Sequence, residues 1–214
     1  MHMPDRVLDP VVWATADAAS AGLVMLAVRR TQRKLDPQDV PLMGVTCAFI
    51  FAGQMVNFPV APMVSGHLLG GALAAILLGL GPAVLIMTTV LVAQCFLFAD
   101  GGVWALGANV LNMALVAPAV ALVVYRLLVG REDRSRRNMT AAFAAAWASV
   151  VASAACACLE LLMSGYSVAL VPPALGWHGL IGIGEGLITV AALRTVWSTR
   201  PDLQPRRALL EVAR

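Results

Sequence analysis

The chain reads as an all-α, polytopic membrane protein, a bundle of seven transmembrane helices forming one domain over residues 1–214. Three observations carry that reading. Of 214 residues, 60% are hydrophobic and only 13% charged, whereas soluble domains are about half apolar and about one quarter charged. The apolar residues fall in stretches long enough to cross a bilayer, divided by Pro, Gly and charged breaks. The Lys and Arg residues gather in alternate connections, as the positive-inside rule asks of a multi-pass protein. A net charge of +3 is explained by that topology and does not call for nucleic acid.

The elements follow in order. Residues 1–10, MHMPDRVLDP, form a polar loop without the basic n-region and immediate apolar run of a cleavable signal. Met1 and His2 are therefore expected to stay at the start of the chain. Helix one is expected over 11–28, with Asp17 and a small-residue stripe, Ala14, Ala18 and Gly22. Helix two covers 41–56 and repeats the pattern with Gly44, Ala48 and Ala52. Such stripes allow close helix contact, inside the bundle or with a partner protein. A Pro-broken loop, NFPVAPMVSG, leads to helix three, expected from His67 to the Gly79-Leu80-Gly81-Pro82 break. Gly66 and Gly70 form a G-x-x-x-G pair, so helix packing competes with a functional role for this motif. Helix four spans 83–98. The Asp100-Gly101-Gly102 turn opens helix five, 103–128, interrupted by Pro118. Helix six spans 139–163, and a loop, 166–176, leads to helix seven, 177–197. The tail from 198 to 214 is polar and basic.

Orientation follows from charge. Arg29, Arg30, Arg33 and Lys34 follow helix one. Arg126, Arg131, Arg134, Arg136 and Arg137 follow helix five. Arg194, Arg200, Arg206, Arg207 and Arg214 follow helix seven. These are 14 of the 15 Lys and Arg residues, and only Arg6 lies elsewhere. Seven helices with the N-terminus outside and the C-terminus cytoplasmic put all fourteen inside. His2, Asn57, His67, Asp100 and His178 then share the outer face.

Met1 and His2 bring chemistry that no internal sequence copies. The Met1 α-amine, the His2 amide nitrogen and the His2 imidazole Nδ1 can close two fused chelate rings on one metal. His67 Nε2 offers a fourth corner. Four planar nitrogens suit Ni²⁺ or Cu²⁺, and three histidines are too few for an all-histidine tetrahedral zinc site. Binding needs a deprotonated amine, so uptake should weaken in acid. The plainer alternative makes His2 a chance residue of a frayed tail. Asn57, Ser65, Asp100 and His178 are candidates to orient a ligand histidine, while Asn57 and Asp100 are equally ordinary turn residues. Glu185, inside an apolar helix, needs a partner that the sequence does not name. Cys47, Cys95, Cys156 and Cys158 read as small buried hydrophobes.

Several segments together resemble a known family. They are Met1-His2-Met3-Pro4-Asp5, Asn57-Phe58-Pro59 with Ser65-Gly66-His67, Phe98-Ala99-Asp100-Gly101-Gly102, Gly107-Ala108-Asn109-Val110-Leu111-Asn112-Met113, and Ile181-Gly182-Ile183-Gly184-Glu185. On these the chain is similar to the CbiM/NikM family, the metal-binding S components of cobalt/nickel energy-coupling factor transporters. The resemblance implies a helix added before a six-helix core. It implies Ni²⁺ or Co²⁺ as transported substrate, held by Met1, His2 and His67, with no organic cofactor. It also implies partners: a transmembrane coupling (T) subunit, cytoplasmic ABC ATPases and often a small accessory membrane subunit. The Ala48/Ala52 stripe resembles the coupling-subunit contact. The chain departs from the family's usual pattern at Arg6, where Gly is expected after Pro-Asp, and at Ala61-Pro62, where a Gly pair is expected. Two rivals remain: an intramembrane serine hydrolase with Ser65 as nucleophile and His178 as base, and a ligand-free assembly subunit.

Overall fold

The computed structural model describes residues 1–61, 64–129 and 135–203, with backbone alone for 58–61, 64, 65 and 135–137. Helix α1 (Pro10–Gln32) starts on a cap visible in the sequence. The Asp9 carboxylate accepts from the Val11 amide at 2.9 Å, and Pro10 fills the first turn, where no N–H is needed. Helix α2 (Asp39–Gln54) follows. The expected Pro-broken loop is instead a short antiparallel ribbon of β1 (Phe58–Ala61) and β2 (Val64–Gly66), its register irregular between Pro59 and Ala61. Proline cannot donate to a ladder, which keeps such a ribbon short.

Next come α3 (Gly71–Leu78) and α4 (Leu80–Phe98), parted by Gly79 alone, at φ +86°. Helix α5 (Leu106–Val110), a π-helical stretch (Leu111–Val116) and α6 (Ala117–Val129) run on as one helix. Pro118 was expected to interrupt this helix, and it does not. The wider π turns lie just before it, where the carbonyl that a proline ring crowds must move aside. Helix α7 (Ser135–Met163), a 3-10 turn (Val168–Leu170) and α8 (Val171–Thr199) complete the bundle. The basic residues Arg131, Arg134, Arg206, Arg207 and Arg214, and Pro62 of the Ala61-Pro62 departure, lie outside the described residues.

Among the described residues, five helices are long and apolar enough to cross a membrane, with α2 a shorter apolar helix. The 19 residues of α4 extend about 29 Å at 1.5 Å per residue, close to the ~30 Å of bilayer hydrocarbon. Polarity is inverted relative to a soluble protein. Val11, Val45, Leu97 and Leu127 are about 70% exposed, while Gln54, Gln94, Asn109, Ser149 and Glu185 are buried. Such a surface is at home in lipid, and polar groups inside the bundle find partners there. Alanines make close packing possible along α7, where Ala142, Ala145, Ala146 and Val150 are fully buried. Gly182 and Gly186 of α8 seat Trp147 and Phe143.

Two expectations about the site's scaffold are corrected. Helix three does not start at His67. It starts at Gly71, because Gly70 takes a left-handed φ of +79° and the residues before it are extended. The Gly66/Gly70 pair is therefore not a helical packing motif. The loop expected over 166–176 is mostly helix, since α8 begins at Val171, and His178 lies two turns inside it.

Candidate metal centre

Met1, His2 and Met3 are 4%, 5% and 1% exposed, so the first residues are packed into the bundle and not frayed. Met1 joins the central cluster with Ile50, Leu69, Met87 and Met113. Met3 enters a second cluster with Val12, Ala105, Ala108 and Leu161. Apolar anchors on both sides of His2 thus oppose the entropy of a chain end.

Polar clamps set the segment's register. The Met3 amide donates to Asn109 Oδ1 at 2.9 Å, and Asn109 Nδ2 returns a bond to the Met3 carbonyl at 3.1 Å. That carbonyl also accepts from the Gly102 amide at 2.9 Å. Asp5 accepts from the Trp104 amide at 2.8 Å. The Asp100-Gly101-Gly102 turn works as a cradle. Gly101 has φ +97°, and a Cβ at Gly102 would fall inside contact distance of Asp5 and Pro4.

Within this cradle the nitrogens converge. The His2 and His67 rings stack with centroids 4.6 Å apart and planes 24° apart. His2 Nε2–H donates to Gln94 Oε1 at 3.0 Å, which leaves the lone pair on Nδ1. His67 Nδ1–H donates to the Leu68 carbonyl at 2.7 Å, a group that can only accept, which leaves the lone pair on Nε2. That Nε2 is buried with no hydrogen-bond partner among the described residues. The Met1 amine interacts electrostatically with His2, His67 and Asp100. Asp100 Oδ1 lies 3.5 Å from His2 Nδ1, and its other oxygen accepts from Asn57 Nδ2 at 3.1 Å.

Burial keeps these nitrogens neutral. It pushes the Met1 amine from 8.0 to about 4, against the opposing pull of Asp100. His2 goes from 6.5 to about 4, through burial first and the neighbouring amine second. His67 falls well below 6.5 for the same two reasons. Lone pairs, not protons, therefore face the centre at neutral pH. Among the described residues no three His, Cys, Asp or Glu side chains gather to hold a metal.

The structure thus brings Met1, His2, His67, Asn57 and Asp100 together. His178 is buried beneath them, its Nδ1–H bonded to the Ala174 carbonyl at 2.7 Å and its ring in electrostatic contact with His67. Ser65 belongs to β2, and its side chain is outside the described part of the structure. Gly44, Ala48 and Ala52 line an exposed face of α2, and Ala14, Ala18 and Gly22 an exposed face of α1. The four cysteines are free thiols, buried or half-buried. Gln94 and the clamping role of Asn109 were not anticipated. Both had a visible signal, an amide side chain in an otherwise apolar helix.

Comparison with known proteins places these features. Residues 2–203 match the family described as the cobalt uptake substrate-specific transmembrane region. A putative fused nickel transport protein of Archaeoglobus fulgidus is 39% identical over 97% of this chain and 69% of its own length. A putative metal transport protein of Haloquadratum walsbyi is 38% identical over 95% of this chain and 93% of its own. The crystal structure of a truncated transition metal transporter superposes with a TM-score of 0.81 at 28% identity, covering 93% of this chain and 99% of that one.

Proposed function

The chain belongs to the cobalt uptake substrate-specific transmembrane family, a family of multi-pass membrane transport proteins and not of enzymes, and from that premise we propose that it is the capture subunit of a nickel or cobalt importer. One divalent ion is bound at the extracytoplasmic face by the Met1 amine, the His2 amide and imidazole, and His67 Nε2. The observation that carries this reading is the buried N-terminus itself: the Met1 amine and the His2 imidazole, both pushed down to about 4 by burial, beside a His67 ring whose Nε2 has no hydrogen-bond partner among the described residues.

Further support comes from shape and charge. The two imidazoles lie side by side with centroids 4.6 Å apart, close enough to converge on one ion. A deprotonated His2 amide carries one negative charge and Asp100 a second, so together they neutralise a divalent ion in a site that excludes water. Planar nitrogen coordination favours nickel among the two metals.

The wider reading makes this chain the S component of an energy-coupling factor transporter. The N-terminal loop and a seven-span bundle face outward with the metal, and the basic ends face the cytoplasm. The exposed Gly44, Ala48 and Ala52 face of α2 meets a transmembrane coupling subunit, and ATP hydrolysis by cytoplasmic ABC subunits drives reorientation and release. A small accessory membrane subunit completes the assembly.

The test is Ni²⁺ and Co²⁺ titration of the purified chain with Met1 as its first residue, beside His2→Ala, His67→Ala and a variant with one residue added before Met1. One tightly bound ion per chain is expected, lost in His2→Ala and in the extended variant and held much more weakly in His67→Ala, with the helical fold kept in all three. Stoichiometric metal in the extended variant would sink the chelate.

A further inference from the structure

The residues that follow His67 are held by two helices that carry no proposed ligand. Helix α3 has no side-chain cap of its own, since its cap position is Gly70. The two amides just before its first helical residue are taken by Glu185, from the middle of α8. Glu185 Oε2 accepts from the Leu69 amide at 2.8 Å and Oε1 from the Gly70 amide at 2.6 Å. From the last turn of α2, Gln54 Nε2 donates to the Leu69 carbonyl at 2.6 Å. Glu185 is 2% exposed and Gln54 fully buried. Leu69 thus has its amide bonded to α8 and its carbonyl to α2, two residues from His67. His67 itself bonds the Leu68 carbonyl, part of the same segment, and stacks on the His2 ring.

We propose that Glu185, with Gln54, is a positioning residue for the metal site: a clamp across α8 and α2 that sets where His67 Nε2 points. The proposal rests on the capture reading and deepens it. A carboxylate buried in a membrane bundle is costly unless its oxygens are satisfied, and here two backbone amides satisfy them at the entrance to α3. The pattern has a mechanical consequence. Helix α2 carries the exposed Gly44, Ala48 and Ala52 face on one side and Gln54 on the other. A shift of α2 against a partner therefore pulls on Leu69, and through it on the fourth corner of the site. Met1 and His2 are held separately, by the Met3 bonds to Asn109 and Gly102 that follow them and by the His2 bond to Gln94.

The experiment is a double-mutant cycle on metal affinity. Wild type, Glu185→Gln, His67→Ala and the double variant are titrated with Ni²⁺, with melting temperature and the visible absorption of bound nickel recorded for each. Glutamine keeps the size of the side chain and one acceptor, so folding is retained where alanine would risk it. Glu185→Gln is expected to weaken binding at least tenfold and to give the nickel spectrum of the His67→Ala protein. In the His67→Ala background the same change should alter affinity less than twofold, because the residue acts through His67. A Gln54→Leu variant should behave as Glu185→Gln does. Wild-type affinity and spectrum in Glu185→Gln would overturn the proposal while leaving the capture reading intact. So would an equal loss with and without His67, which would mark Glu185 as merely structural. Failure of the wild type to bind would remove both.

Discussion

The Met1 amine, pushed from 8.0 to about 4 by burial, is neutral at pH 7 only while its segment is docked. Undocked, it takes up a proton as pH falls through about 8. Docked, it refuses one until about 4. Docking therefore keeps full strength above pH 8 and loses it as pH falls toward 4, by up to about 1.4 kcal/mol per unit. The His2 amide adds a second dependence, since it must release its proton to bind metal. Nickel affinity is expected to fall at least tenfold per unit between pH 8 and pH 6. Calorimetry in buffers of different ionisation enthalpy should register the released protons, and a flat profile would remove the amide from the ligand set. Arg6 makes a separate prediction. It stands where the family pattern has Gly, and its φ of +68° explains why. A left-handed non-glycine residue costs about 1–2 kcal/mol, and glycine gives back about 0.4–1 of that through the unfolded chain. Arg6→Gly should then tighten metal binding about twofold to fivefold, read by the same titration. Weaker binding would show that the Arg6 side chain contributes more than its backbone costs.

Among the elements, the Asp100-Gly101-Gly102 turn and the N-terminal segment depend on each other, while α7 packs on α6 and α8. Gly102→Ala puts a methyl group against Asp5 and Pro4. Metal binding should be lost, with the bundle's melting temperature changed by only a few degrees. Gly176→Ala, where nothing lies within 4 Å, is the matched control and should bind as wild type. Helix α3 shows how an element's limits depend on its neighbours. The apolar run 67–78 reads as one helix, yet Glu185 takes the amides at 69 and 70 and Gly70 turns left-handed, so the helix begins at 71.

For the whole molecule, the positive-inside argument remains the carrier of orientation. Arg29, Arg30, Arg33, Lys34, Arg126, Arg194 and Arg200 are exposed at the helix ends away from the centre. With the four native cysteines replaced, a single cysteine at Asn57 should react with a membrane-impermeant maleimide added outside intact cells. One at Lys34 or Arg200 should react only in inverted vesicles. The opposite pattern would turn the capture site to the cytoplasm. The tilted Trp13–Trp104 pair beside the cradle suits the same outer boundary, where amphipathic rings collect.

Much of this protein was legible in the chain alone. Most of the helices followed from apolar run length. The proposed ligand set rests on the chemistry of Met1-His2, whose three nitrogens are contiguous in sequence and need no fold to be neighbours. Other features required the tertiary structure, and the reason is common to them. Glu185 meets Leu69 across 116 residues, and Asn109 meets Met3 across 106. No local periodicity encodes such a meeting, because it arises only when separate helices are packed side by side. The same holds for the depressed pKa of the Met1 amine. Sequence supplied the donor atoms, and packing alone decided that they would be buried, neutral and aimed at one another.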